Sequence, residues 1–482
     1  MPTLYRNFVS GEWGPAGDAV ENINPSDLTD VVGIAPRSDR AAVDRAIGAA
    51  AEASDRWGES TPEERFMVLD TAGSEIRARQ VELGRLLARE EGKPVKEAMG
   101  EVMRASHILK FFAGEALRIG GELIPSVRPG LTVEITREPL GVVGVITPWN
   151  FPIAIPTWKI APALAWGNTV VFKPAENTPG SACELVDILQ RAGLPQGVLN
   201  LIYGKGSEVG QALVESDLVA GISFTGSEPV GRSLIASAAA AGKHIQAEMG
   251  GKNPMIVLDD ASLDLAVDVC ANGAYFSTGQ RCTASSRLIV TSGIHDAFVD
   301  RLSTRMAEMR VGNALDDRTI VGPVVDAAQL EQNLRYIEIA AAEGGHVIGG
   351  TTVEQPTSGH FLSPALVVGT DNQMTVNREE VFGPVASVIK VEGFDEALAV
   401  ANDTKFGLSA GICTGALAVA KHFTRHSTAG MVMVNAPTAG VDYHVPFGGA
   451  RASSYGPKEH GSHARDFFTS IKTSYVNPGP LL

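Results

Sequence analysis

Gly141-Val142-Val143-Gly144-Val145-Ile146 and Thr169-Val170-Val171-Phe172 are short apolar runs with no polar residue on either face. A strand of that kind is buried on both sides, as in a parallel sheet covered by helices. Working outward, residues 181–191 read as a helix, 198–203 as a strand, 207–215 as a helix, and Gly221-Ile222-Ser223-Phe224 as a strand. A second alternation starts at Asn253-Pro254-Met255-Ile256-Val257-Leu258 and continues past Ile412. The chain therefore reads as α/β, two units meeting near Gly250-Gly251 with no linker between them. Upstream, Thr61-Pro62-Glu63-Glu64 opens a long amphipathic helix as a capping box, with proline at the first helical position. Residues 123–138, which alternate through Thr132-Val133-Glu134-Ile135-Thr136, read as a strand outside the main sheet, and residues 467–475 read likewise. Such strands need partners, and a second subunit is the expected one.

Composition narrows the function classes. With 482 residues the chain is too long for a single core. Forty Lys and Arg against 55 Asp and Glu give a net charge of −15, which repels phosphate backbones and anionic lipid heads. Neither nucleic acid nor a membrane is an expected partner. The apolar stretch 139–172 is broken by Pro148, Pro152, Pro156 and Pro162 and contains Lys159, so it does not read as a membrane span. The start, Met1-Pro2-Thr3-Leu4, lacks the apolar core of a signal peptide. Cys183, Cys270, Cys282 and Cys413 form no Cys-x-x-Cys pair, which points to reduced thiols in the cytoplasm.

The motifs are individually modest. Gly204-Lys205-Gly206-Ser207-Glu208-Val209-Gly210 follows a strand, but its glycine spacing is one residue longer than the dinucleotide fingerprint. Phe224-Thr225-Gly226-Ser227 is a better anion site, because free N–H groups at a helix start can hold a pyrophosphate; the other reading is an ordinary cap. Cys282, in Gly279-Gln280-Arg281-Cys282-Thr283, is either a packing residue or a nucleophile whose thiolate the adjacent guanidinium favours. Glu248 ends a strand beside two glycines, as a solvated turn residue or as a base with room for a backbone to approach. There is no Gly-x-Ser-x-Gly elbow, no Walker A sequence and no metal-binding histidine pattern, and no metal is expected.

Taken in order, several blocks resemble the aldehyde dehydrogenase superfamily. They are Pro148-Trp149-Asn150-Phe151-Pro152, Phe172-Lys173-Pro174-Ala175-Glu176, Phe224-Thr225-Gly226-Ser227, Glu248-Met249-Gly250-Gly251-Lys252, Gly279-Gln280-Arg281-Cys282, Glu380-Val381-Phe382-Gly383-Pro384 and Pro446-Phe447-Gly448-Gly449. The resemblance spans nearly the whole chain. It implies two Rossmann-like α/β domains: a nucleotide-binding domain (1–120 and 140–250) and a catalytic domain (251–462). It also implies a small oligomerisation element (121–139 and 463–482) in a homodimer or homotetramer.

The resemblance further implies that Cys282 attacks an aldehyde, that Asn150 and the Cys282 N–H hold the oxyanion, and that Glu248 activates the hydrolytic water. Lys159 and Glu459 would relay the proton outward. NAD, with NADP possible, would lie along Ile146, Thr147, Pro148 and Trp149. Lys173 and Glu176 would hold its adenosine ribose. Gly206, Gly210, Phe224, Gly226 and Ser227 would border the phosphates, and Gly250, Glu380 and Phe382 the nicotinamide end. Substrate would meet Phe151, Ile155, Trp158, Arg281 and Thr283 on one side and Val441, His444 and Phe447 on the other. Residues 439–449 and 453–459 are similar to the branch acting on 2-oxoglutarate semialdehyde (2,5-dioxopentanoate). Arg281 is the expected carboxylate contact, unless it pairs with an acid elsewhere. An aromatic or hydrophobic aldehyde is the alternative substrate, and a non-catalytic nucleotide-binding protein of the same fold is a remoter one. Acyl transfer to coenzyme A is disfavoured by Glu248, since a thiol acceptor needs no water-activating base.

Overall fold

The computed structural model describes residues 2–14 and 19–479. Two open sheets organise the backbone. The first has eight strands in the order Ser454–Tyr455, His244–Glu248, Val219–Thr225, Val142–Ile146, Thr169–Lys173, Leu199–Leu201, Phe8–Val9, Glu12–Trp13. The strands from His244–Glu248 to Leu199–Leu201 run parallel and the outer ones antiparallel. Val142–Ile146 and Thr169–Lys173 are buried at every residue, as the apolar runs 142–146 and 170–172 require. Strand order reverses beside Val142–Ile146, so the loops at the carboxyl ends diverge there and leave a crevice. Lys173, Ile146, Phe224 and Ala247 stand in one register row at that end.

The second sheet has seven strands, His346–Gly349, Ala365–Thr370, Val385–Val391, Ser285–Thr291, Asn253–Val257, Ser409–Cys413 and Met431–Val434, parallel except for the first. The chain passes from one sheet to the other between Glu248 and Asn253, across Gly250-Gly251. The stretch 251–462 does not stay within the second sheet. Ser454–Tyr455 returns to the edge of the first, with Ser454 opposite Glu248. Two polar-edged residues carry no strand periodicity, which is why this return is invisible in the sequence.

The strands outside the sheets also differ from expectation. Residues 123–138 form a hairpin, Glu122–Pro125 and Thr132–Pro139, around a turn in which Gly130 has φ 76°. Thr469–Val476 pairs antiparallel with Thr132–Pro139 along its whole length, after a helical turn Arg465–Phe468 that buries Phe467 and Phe468. The two segments thus satisfy each other's backbone groups within one chain. Residues 480–482 of the expected C-terminal strand segment lie outside the described residues. The capping box at Thr61 is present, with Glu64 accepting from the Thr61 N–H at 2.7 Å. No helix among the described residues is long and apolar enough to cross a membrane.

One helix, Val95–Ala116, ties the two sheets to the site. Glu97, Glu101 and Arg104 are spaced i, i+4, i+7 and share a face. One carboxylate oxygen of Glu101 accepts the N–H groups of Ile153 and Ala154, both at 3.1 Å, at the start of the helix Ala154–Ala165. The other accepts from Lys93 Nζ at 2.6 Å, and Lys93 also donates to the Asn150 carbonyl at 2.7 Å. Both side chains are about as buried as the apolar core, with 1% exposure each. Replacing Glu101 with Ala leaves a buried ammonium and two N–H groups without acceptors. We expect a loss of about 3–5 kcal/mol, read as a lowered thermal unfolding midpoint. Glu101→Gln keeps an acceptor oxygen and should lose less.

Candidate active site

The helix Leu263–Tyr275 ends in a tight turn, Phe276–Gly279, whose last three residues are left-handed: Ser277 (φ 51°), Thr278 (φ 55°) and Gly279 (φ 66°). Two non-glycine residues in that region are costly and persist only where their surroundings hold them. Glu97 accepts both the Ser277 N–H, at 3.1 Å, and its hydroxyl, while Thr278 Oγ1 donates to the Gly322 carbonyl at 3.1 Å. Downstream, the Gln280 carbonyl accepts from Asn150 Nδ2 at 2.9 Å. The Cys282 carbonyl accepts from Asn253 Nδ2 at 2.7 Å, and Asn253 also bonds Ala284 O and the Ser409 N–H. Cys282 is thus fixed from three sides.

Arg281 departs from the expectation placed on it. Its guanidinium pairs with Glu97 at 2.8 Å and reaches toward Asn272, and it does not border the cavity that contains Cys282. Glu97 lies 184 residues away in sequence, so nothing local announces the pair. Arg281 is therefore neither a free carboxylate anchor nor a charge that lowers the thiol. Burial pushes the Cys282 thiol up to about 12, and the carboxylates of Glu380 and Glu248 add to the rise.

Cys282, Asn150 and Ile155 border a cavity of about 440 Å³ shared with Trp149, Glu380 and Phe382. Glu380 accepts the Gly251 N–H at 2.9 Å and lies so close to Gly250 that a Cβ there would stand 2.0 Å from its oxygen. Phe382 is left-handed (φ 59°) and meets Trp149 edge-on, with ring centres 5.4 Å apart. Glu248 ends its strand 2% exposed, accepting from Ser454 Oγ through one oxygen while the other has no partner. Burial, and next the Glu459 charge, hold its carboxyl well above the ordinary range. Lys159 contacts Glu459 and donates to Ser223 Oγ at 3.0 Å, in a layer fully removed from water.

The expected substrate residues divide. Trp158 stacks obliquely on Phe447, centres 5.4 Å apart, and Phe447 packs with Leu408 and Met431 in a cluster against which both Cys282 and Val441 rest. Phe151 receives Lys93 on its ring face at 3.8 Å. Thr283 is buried, and its carbonyl accepts from Thr438. His444 is exposed and meets only Tyr443 among the aromatic rings. Sequence reasoning missed Ser454, Asn253, Glu97 and Glu101, each of which acts across a gap in the chain. Only the i, i+4 spacing of the two glutamates was a usable signal.

The remaining groups suit a dinucleotide. Pro148, Gly226 and Ser227 continue the cavity wall. Ser227 precedes the helix Glu228–Ala240 without capping it through its side chain, leaving first-turn N–H groups for an anion. Gly226 lies under the Phe224 ring, where a Cβ would come within 2.6 Å. A Cβ on Gly206 would sit 3.8 Å from Lys173 Nζ, and one on Gly210 would sit 3.6 Å from Ile146. Thr147 Oγ1, Thr225 Oγ1 and one Glu176 oxygen are buried with no partner, as donors and acceptors awaiting a polar ligand would be.

A thiol at the foot of a dinucleotide crevice is the equipment of an oxidoreductase that carries its substrate as a thioester. The sequence agrees: residues 13–474 match the aldehyde dehydrogenase family, and the chain belongs to it, as an NAD(P)-dependent enzyme. It is 45% identical over 479 residues to the alpha-ketoglutaric semialdehyde dehydrogenase of Bacillus subtilis, covering 98% of each chain. To the 2,5-dioxopentanoate dehydrogenase of Saccharolobus solfataricus it is 40% identical, covering 95% of this chain and 96% of that one. Among solved structures, an NAD-dependent aldehyde dehydrogenase from Sinorhizobium meliloti superposes with a TM-score of 0.96 at 34% identity, over 100% of this chain and 96% of that one. A betaine aldehyde dehydrogenase from Staphylococcus aureus in complex with NAD+ gives 0.96 at 33%, over 99% and 96%.

The raised thiol predicts a reactivity profile. Below its pKa a thiol gains about tenfold in thiolate per pH unit, and an ordinary cysteine levels off near 8.5. Alkylation of Cys282 by iodoacetamide, followed by mass spectrometry in the ligand-free protein, should still be accelerating above pH 9. A plateau below pH 8 would show that burial and the two carboxylates do not raise the thiol.

Proposed function

We propose that this enzyme oxidises a short aldehyde bearing a carboxylate, 2-oxoglutarate semialdehyde, to the acid and releases it by hydrolysis. The observation carrying the chemistry is the meeting of Cys282 with Asn150 in one cavity, with the partly unpaired carboxylate of Glu248 near enough for its charge to act on the thiol. The substrate rests on the curated relatives, three of which at 40–45% identity are named for that semialdehyde.

Cys282 loses its proton to the Glu248 carboxylate and its sulfur adds to the aldehyde carbon. Asn150 Nδ2 and the Cys282 N–H stabilise the oxygen that becomes negative. The bound nicotinamide supplies the hydride acceptor. Glu248, having passed its proton on, then takes one from water, and the hydroxide adds to the thioester as the carbon–sulfur bond breaks. Lys159 and Glu459 carry that proton away from the site. Glu248 is suited to both transfers because burial keeps its affinity for protons high. The sign follows: only the ionised form acts as a base, so a hydrolysis-limited rate rises with pH through a pKa above the ordinary carboxylate range.

Around this centre, the first sheet with its helices forms the nucleotide-binding domain and the second the catalytic domain. The sheet of Glu122–Pro125, Thr132–Pro139 and Thr469–Val476 exposes Leu123 (73%) and Ile471 (64%), a suitable face for a second copy in a homodimer or homotetramer. All four cysteines are free, which fits a cytoplasmic enzyme.

An aldehyde panel tests the reading. 2-Oxoglutarate semialdehyde should give the highest kcat/KM, with NADH and acid formed in equal amounts and no coenzyme A required. An aromatic aldehyde ranking first would reject the substrate. Glu248→Gln removes the base of both steps, so NADH formation should itself slow about a hundredfold or more, and the acyl enzyme that does form should persist as an adduct on Cys282 visible by mass.

Cofactor choice follows from Glu176. Its unpaired oxygen can accept from ribose hydroxyls, whereas a 2′-phosphate would meet like charge. NAD should therefore be preferred over NADP by kcat/KM, and Glu176→Ser should narrow the gap. A wild-type preference for NADP would contradict this assignment.

A further inference from the structure

The correction at Arg281 leaves the proposed substrate carboxylate without a cation, and the same helix face offers another. Other buried guanidinium groups in this protein are saturated by the chain itself. Arg65 donates to the Trp57 and Gly58 carbonyls and to Ser60 Oγ. Arg287 donates to the carbonyls of Lys252, Val400 and Ala401 and to Asn372. Arg104, half-buried on the Val95–Ala116 helix, makes one bond, to the Val441 carbonyl, and its Nε is buried with no partner. It forms no ion pair with any carboxylate among the described residues.

The neighbours do not neutralise it. Glu101 is already committed to Lys93 and to two backbone N–H groups. Asp442 is exposed and stands beyond pairing distance. His460 is neutral, its ring pushed down to about 3 by burial and then by the Arg104 charge. A partly desolvated cation with donors to spare and no counter-ion is costly unless an anion visits it.

Its position suits the substrate. Arg104 holds the backbone of Val441, and the Val441 side chain rests with Cys282 on the same Phe447 cluster. We propose that Arg104 is the specificity-determining residue of this enzyme: its guanidinium binds the far carboxylate of the semialdehyde while the aldehyde carbon meets Cys282. This rests on the semialdehyde reading above, and it assigns the selectivity to the Val95–Ala116 helix rather than to the nucleophile loop. The observation behind it is the pairing of a counter-ion-free guanidinium with the Val441 segment, which packs on the same Phe447 cluster as the thiol.

The test is a comparison of KM and kcat on 2-oxoglutarate semialdehyde and on neutral pentanal, for the wild type, Arg104→Gln and Arg104→Lys. Gln removes the charge and shortens the side chain, whereas Lys keeps the charge, so the two variants together separate charge from reach. Gln should raise KM for the semialdehyde about tenfold or more, as loss of a charge-assisted contact does, and leave pentanal within about twofold. Lys should recover part of the loss. Glutarate, a carboxylate-bearing analogue without the aldehyde, should inhibit the wild type competitively and the Gln variant far less. Equal losses on both aldehydes would make Arg104 a support of the 441–443 segment and overturn the proposal, as would an unchanged KM for the semialdehyde in a variant whose wild type prefers it. If the wild type itself shows no preference for the semialdehyde over pentanal, the substrate reading fails and this proposal with it.

Discussion

The ammonium of Lys93 and the carboxylate of Glu101 meet in the interior with almost no water around either, and the rest of the site is arranged about that contact. Such a pair gains little net stability, because desolvating both charges consumes most of their attraction. What it supplies is position. Lys93 holds the Asn150 carbonyl, Glu101 holds the first N–H groups of the helix bearing Trp158 and Lys159, and one turn earlier Glu97 holds the strained Ser277 turn. A single helix belonging to neither sheet thereby fixes the amide and the thiol relative to each other.

The chemistry depends on a shortage of compensating charge. Glu459 adds its negative charge to that of Glu248, with Lys458 and Lys159 as the cations nearest Glu248, while Glu380 lies beside Cys282 with Lys252 and Lys405 as its cations. Each carboxyl is raised mainly by burial and holds its proton more firmly than a surface acid would. The thiol is raised for the same reason. A thiol that resists ionisation at rest avoids a standing thiolate that would react with any passing electrophile.

The sheets were legible because 142–146 and 170–172 are apolar on both faces, a pattern that double-sided burial explains. Cys282, Asn150 and Glu248 were legible through family resemblance and far less through residue chemistry. Arg281 misled for a physical reason: a guanidinium next to a thiol in sequence need not face it, and a partner from a distant helix decided its direction. The hairpin at Gly130 was missed because alternation marks a strand without marking where it folds back. Ser454 and Arg104 carry no local signature, since both matter through what they meet across the fold.

The return of Ser454–Tyr455 to the first sheet has a consequence for how the chain comes into being. Synthesis proceeds from the amino end, and Glu248 and Lys159 emerge from the ribosome long before Ser454 and Glu459 exist. Until residues 454–459 have been added and have folded back, the Glu248 carboxylate lacks its hydroxyl partner and Lys159 lacks its acid, so the buried polar layer between them is the last part of the first sheet to be completed.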